Sequence, residues 1–158
     1  MALPAKSAWT FSATYAGCSD ACASAELWAL AAGLSNGLAL RLTLVVEELF
    51  TNTIKYGYCR ESKRPVKIEL SVNDGLAQLE YRDKGPPFDS VRTMEICAEQ
   101  NAPLRIGGVG LHLIQTISSN ASYANIGGWN IVRLSVGDGP LPAAQLTPTR
   151  AAADRERH

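Results

Sequence analysis

The 158-residue sequence predicts an α/β (α+β) fold, a two-layer sandwich in which a mixed sheet carries helices on one face. Three observations carry that expectation. Residues 66–72 and 77–81 alternate as strands do, and Asn73-Asp74-Gly75 between them is a strong hairpin signal. Residues 19–32 and 37–58 repeat their apolar side chains at helical spacing over lengths that strands rarely reach. Two further strand-like runs, 121–126 and 129–136, close the pattern behind a helical segment at 110–119.

Taken in order, residues 8–15 read as the first strand and 19–32 as an amphipathic helix with Ser19 or Asp20 available as its cap. The helix at 37–58 is richer in apolar residues. Leu42, Leu44, Val45, Val46, Leu49, Phe50, Thr53 and Ile54 cover most of its circumference, which argues for burial on more than one side. After the hairpin of 66–82, residues 89–106 read as mostly irregular, with a short helix around 90–100. Beyond Val136, Gly137, Gly139, Pro140, Pro142 and Pro148 break regular structure. The expected organisation is therefore one domain over 1–136 and a flexible tail over 137–158, with a short partner-binding helix from Thr149 onwards as the other reading of that tail.

Composition narrows the function. With 46% hydrophobic residues the chain buries a proper core, and 15 basic against 15 acidic side chains give no overall pull toward nucleic acid. No apolar run approaches the roughly 20 residues that a membrane helix needs, and no signal-peptide pattern is present, so the cytoplasm is expected. Cys18, Cys22, Cys59 and Cys97 form no CxxC pair and only two histidines accompany them, which argues against zinc and for reduced packing cysteines. His112 has no acidic neighbour and reads as a helix surface or packing residue.

Three stretches carry chemistry. In Glu47-Glu48-Leu49-Phe50-Thr51-Asn52-Thr53-Ile54-Lys55-Tyr56-Gly57, Glu48 and Asn52 share one helix face about 6 Å apart along the axis. A carboxylate and a carboxamide so placed are either an exposed stripe or a polar site. In the second case the Asn52 carbonyl suits magnesium, and Glu48 suits a general base. In Asp83-Lys84-Gly85-Pro86-Pro87-Phe88-Asp89, Asp83 lies just beyond a strand, where it either builds a surface turn or accepts a hydrogen bond from an adenine amino group, with Gly85 admitting the base to the backbone. Gly107, Gly108 and Gly110 lead into a helix whose N-terminal amides attract phosphate, or serve as a connector. The P-loop and Rossmann spacings are both absent from this loop.

In this order the three stretches resemble the nucleotide-binding boxes of the GHKL ATPase superfamily, and they are most similar to bacterial anti-sigma factors that act as serine protein kinases. Glu48 to Gly57 resembles the N box, Asp83 to Asp89 the first glycine box, and Gly107 to Leu111 the second; Gly127-Gly128-Trp129-Asn130 before the closing strand also fits. The resemblance implies a Bergerat-type ATP-binding fold, with residues 89–106 as its lid. It implies Glu48 as catalytic base, Asn52 as magnesium ligand, Asp83 as the adenine-reading carboxylate and Gly85 as the close-approach glycine. Gly107, Gly108, Gly110 and Leu111 would hold phosphates, and Lys55 matches a phosphate-contacting position. Two departures stand out. Tyr56 sits where many anti-sigma kinases carry His, and the family's Thr near the adenine, in the last strand, has Arg133 or Ser135 as candidate counterparts.

The function so implied is an ATP- and magnesium-dependent serine/threonine protein kinase that need not touch DNA to regulate transcription: it would phosphorylate an anti-sigma-factor antagonist and hold a sigma factor, as a homodimer. The alternative is a nucleotide-dependent binding module of the same fold that transfers no phosphate. A histidine kinase or a chaperone-like ATPase is disfavoured, because no dimerisation and phosphoacceptor helix pair is found upstream.

Overall fold

Along residues 5–89 and 109–139, which the computed structural model describes, the chain forms β1 (Lys6–Ser12), α1 (Tyr15–Ala31), α2 (Asn36–Asn52), β2 (Pro65–Asn73), β3 (Leu76–Asp83), α3 (Val109–Ile117), β4 (Ser118–Ile126) and β5 (Trp129–Val136). A π-helical turn, Thr53–Gly57, follows α2 directly. The short helix expected around 90–100 lies outside the described residues, as do Cys97 and the tail from residue 140.

The strands form one sheet in the order β1-β2-β3-β5-β4. Every neighbouring pair is antiparallel, which corrects the expected mixed sheet. The connections explain the difference. Two helices lie between β1 and β2 and add one extra reversal, so the strands return antiparallel. A single described helix lies between β3 and β4, which do run the same way, but β5 is inserted between them. The β2–β3 turn places Asp74 at φ 51° and Gly75 at φ 75°, the paired left-handed geometry that matches strand twist.

Helix boundaries moved for local reasons. α1 begins a turn earlier than the sequence suggests because Thr14, not Ser19 or Asp20, is its cap: the Thr14 hydroxyl accepts the Gly17 N–H at 2.9 Å. It ends where Gly33 adopts φ 81° and the Leu34 N–H reaches back to the Ala29 carbonyl at 3.0 Å, a closure that turns the chain into α2. Ser35 caps α2 through the Leu38 N–H.

The core lies between the helices and one sheet face. Val66, Ile68, Leu70, Ala77, Leu79, Tyr81, Val132, Leu134 and Val136 alternate along their strands toward that face. α2 buries Leu38, Leu42, Val45, Val46, Leu49 and Phe50 as one broad face, while Leu44 is half-buried and Leu40 exposed, so its burial is less complete than its composition suggests. Phe50 meets Phe11 of β1 edge to face, with ring centroids 6.4 Å apart. Cys18 is buried and Cys22 half-buried, both as free thiols, and hydrogen bonding to Cys22 together with burial pushes the Cys18 thiol well above its ordinary range. On the opposite sheet face Glu80 accepts from Arg82 and Arg133. The segment after β5 is not free from residue 137: Arg41 donates to the Gly137 and Gly139 carbonyls, and Ser35 donates to Asp138. Among the described residues no helix is long and apolar enough to cross a membrane.

Phe50→Ala is expected to destabilise the fold by about 3–5 kcal/mol in urea unfolding, from lost burial plus the cavity left behind. Leu27→Ala, at a site 66% exposed, is expected to change stability by no more than about 0.5 kcal/mol.

Candidate functional site

The N box region is where the helix changes pitch. Past Asn52 the backbone widens, and the Tyr58 N–H bonds the Thr53 carbonyl at 2.7 Å, five residues back. This turn, the ends of β3 and β5, and Pro86-Pro87-Phe88 enclose a cavity of about 390 Å³, a size suited to a small ligand. Leu49, Tyr81 and Val132 give it an apolar floor; Asn52, Thr53, Asp83 and Asn130 add polar groups, and Lys55 and Tyr56 lie along its wall.

Asp83, the last residue of β3, accepts three hydrogen bonds through its carboxylate. Its Oδ1 accepts the Gly85 N–H at 2.9 Å and the Asn130 side-chain amide at 3.0 Å, and its Oδ2 accepts the Thr53 hydroxyl at 2.8 Å. Asn130 lies opposite Asp83 in the β3–β5 register and is buried. Its amide also sits 3.0 Å from the Gly85 carbonyl and 3.1 Å from that of Pro86. Its own carbonyl accepts from Tyr123 at 2.6 Å and Asn125 at 3.0 Å, which ties the turn after β3 to β4. From the other side, the Tyr58 hydroxyl accepts the Lys84 N–H and donates to the Pro65 carbonyl, both at 2.7 Å. A turn held from both sides presents its carboxylate in one orientation.

Gly85 is required for a reason that spacing alone does not reveal. A Cβ there would lie 3.0 Å from the Gly57 Cα and 3.2 Å from its carbonyl carbon. The close approach is therefore between the turn and the end of the π-helical segment.

Glu48 sits one turn before Asn52 and is half-buried, outside the set of residues that line the cavity. Burial raises its pKa, Glu47 raises it further, and Lys55 partly offsets both. Gly110 and Leu111 lie in the first turn of α3, where helix geometry leaves backbone N–H groups without intrahelical acceptors. Gly107 and Gly108 fall outside the described residues. Neither Arg133 nor Ser135 is the β5 residue at the cavity. Arg133 bonds Glu80 and Ser135 bonds Gln78 on the opposite sheet face, whereas Asn130 and Val132 line the cavity. The alternation of β5 carried that information, once its register against β3 was known.

Asn130, Thr53 and Tyr81 are the site residues that sequence reasoning missed. Asn130 ends the Gly127-Gly128-Trp129-Asn130 stretch, but nothing local marks which side chain of a strand faces Asp83.

The sequence profile of the histidine kinase-like ATPase domain matches residues 11–136. The serine-protein kinase RsbW of Listeria innocua is 31% identical over 91 residues, covering 54% of this chain and 58% of that protein. RsbW of Listeria monocytogenes matches at the same identity and coverage. The chain thus spans less than two thirds of the curated relatives it matches. The crystal structure of the RsbU and RsbW domains of a Mycobacterium tuberculosis protein superposes with a TM-score of 0.58 at 16% identity, over 85% of this chain and 32% of that one, a likeness of fold.

Gly85→Ala is expected to cost about 1–3 kcal/mol of stability in urea unfolding, because the added methyl meets backbone that cannot rotate away. Gly33→Ala controls for strain without crowding: its Cβ would meet nothing within 4 Å, although its φ of 81° is unfavourable.

Proposed function

The chain belongs to the histidine kinase-like ATPase domain family, and from that premise we propose that it binds ATP with magnesium and acts as a serine/threonine protein kinase of the anti-sigma type. The observation that carries this reading is the convergence of Asn52, Lys55 and Asp83 on one cavity, with Glu48 a single turn from Asn52.

In this reading Asp83 accepts the amino group of adenine, and the apolar floor of Leu49, Tyr81 and Val132 receives the ring. The Asn52 carbonyl oxygen is a hard neutral ligand that fits magnesium, an ion that takes few protein ligands and completes its shell with phosphate and water. When bound, magnesium offsets the negative charge of the phosphate oxygens. Lys55 adds a positive charge beside them, and the amides of Gly110 and Leu111 in the first turn of α3 hold phosphate, with Gly107 and Gly108 of the same glycine-rich stretch proposed to join them. Glu48 takes the proton of the acceptor serine. Its raised pKa makes it a better proton acceptor than an ordinary glutamate. Most of the rate gain comes from positioning and electrostatics, as phosphoryl transfer requires.

The protein substrate in this proposal is an anti-sigma-factor antagonist, and the alternate partner a sigma factor, with the chain acting as a homodimer in the cytoplasm. The likeness to serine-protein kinases named RsbW supports the kinase part of this reading, and the partners, the dimer and the compartment rest on the resemblance to anti-sigma factors.

One observation favours a second reading, a nucleotide-dependent binding module without transfer: Glu48 does not line the cavity. Catalytic contacts often tighten only when substrate is bound, so the kinase reading is preferred. Incubation with labelled ATP and a candidate antagonist separates the two. Phosphoserine on the antagonist supports transfer, and ATP binding without phosphoserine supports the module.

Asn52→Ala is expected to abolish magnesium-dependent ATP binding in calorimetry, while Glu48→Gln keeps binding and slows transfer by about 10²-fold or more. Equal loss of binding in both variants would refute the division of roles. Glu48 works in its ionised form and its pKa is raised, so transfer is expected to fall as pH drops through that raised value, with the acid limb absent in Glu48→Gln. A rate that does not change across the acid range would remove Glu48 as the base.

A further inference from the structure

Beneath Asp83 two hydroxyls are stacked into the core. The Thr53 hydroxyl lies 2.8 Å from Asp83 Oδ2, and the Tyr81 hydroxyl lies 2.7 Å from Thr53. Thr53 and Tyr81 are buried, at 3% and 2% exposure. Taking two hydroxyls out of water is unfavourable unless they are bonded, and valine and phenylalanine would fill the same space without that cost. The two hydroxyls end on the one carboxylate that, among the described residues, lines the cavity.

The direction of these bonds follows from the chemistry. Thr53 has a single proton and two acceptors in reach, Asp83 at 2.8 Å and the Leu49 carbonyl at 3.1 Å. The carboxylate is nearer, whereas Leu49 already accepts the Thr53 backbone N–H. With its proton committed to Asp83, Thr53 accepts from Tyr81. Burial first, and the nearby Asp83 charge, hold the Tyr81 hydroxyl in its protonated form, which makes it the donor.

A carboxylate offers about four acceptor positions. Gly85 and Asn130 occupy both on Oδ1, and Thr53 occupies one on Oδ2. We infer that Thr53 and Tyr81 are positioning residues that fix Asp83 as an acceptor with one open position on Oδ2, and so make the cavity selective for a purine with an amino group over one with a carbonyl at the same place. This inference rests on the ATP-binding reading above. Inosine triphosphate is the fitting probe, because it replaces that amino group by an oxygen and keeps the ribose and phosphates.

The test measures dissociation constants of ATP and inosine triphosphate, each with magnesium, by calorimetry on the full chain. Wild type is expected to prefer ATP. Thr53→Val, which keeps shape and removes the hydroxyl, is expected to lower that preference about tenfold, and Thr53→Ser is expected to restore it. Tyr81→Phe is expected to lower the preference about threefold on its own and to add nothing in the Thr53→Val background, because the relay is already cut. A preference unchanged in Thr53→Val, even with a lower unfolding midpoint, overturns the inference and leaves these hydroxyls a structural role. If Thr53→Val does not fold, Tyr81→Phe decides by the same ratio: a lowered preference supports the relay, and an unchanged one overturns it. Failure of wild type to bind ATP at all instead overturns the nucleotide reading on which the relay depends.

Discussion

The site depends on the fixation of one carboxylate. Asp83 ends β3, and the groups that bond it come from three other places: Thr53 from the π-helical turn, Gly85 from the following turn, and Asn130 from β5. Asn130 extends the hold to Tyr123 and Asn125 on β4. Three of the five strands and the turn that follows α2 are therefore tied to a single acceptor. An acceptor so constrained loses little on binding, because its orientation is set before a ligand arrives.

That constraint also accounts for the local backbone. Gly85 allows the turn to rest on Gly57, and the widened helical turn brings Lys55, Tyr56 and Gly57 to the cavity while sending Thr53 inward. A regular helix continued to Tyr58 would rotate these side chains differently. In the proposed function, binding and chemistry are separated along the same helix: Asn52 lines the cavity, whereas Glu48, a turn earlier, stands back from it with a raised pKa. In the proposed function the acceptor serine has to bring Glu48 into reach.

Much of this was legible in the sequence where the signal is local. The hairpin at Asn73-Asp74-Gly75 needs left-handed residues, and Asp74 and Gly75 supply them. The spacing of Glu48 and Asn52 survives because both lie within α2. What was not legible depends on partners distant in the chain. The antiparallel sheet follows from β5 being inserted between β3 and β4, and no stretch of sequence announces an insertion. Asn130 faces Asp83 only because of the β3–β5 register, which turns Arg133 and Ser135 to the opposite sheet face. Thr53 read as one more residue on an apolar helix face, and its hydroxyl acquires meaning only beside Tyr81 and Asp83.

The most direct measurement is a crystal structure of the full chain with magnesium and a non-hydrolysable ATP analogue. The arrangement described here requires the adenine amino group within hydrogen-bond distance of Asp83 Oδ2 and the phosphates beside Asn52 and the start of α3. An analogue bound elsewhere, or an adenine ring turned away from Asp83, would contradict it.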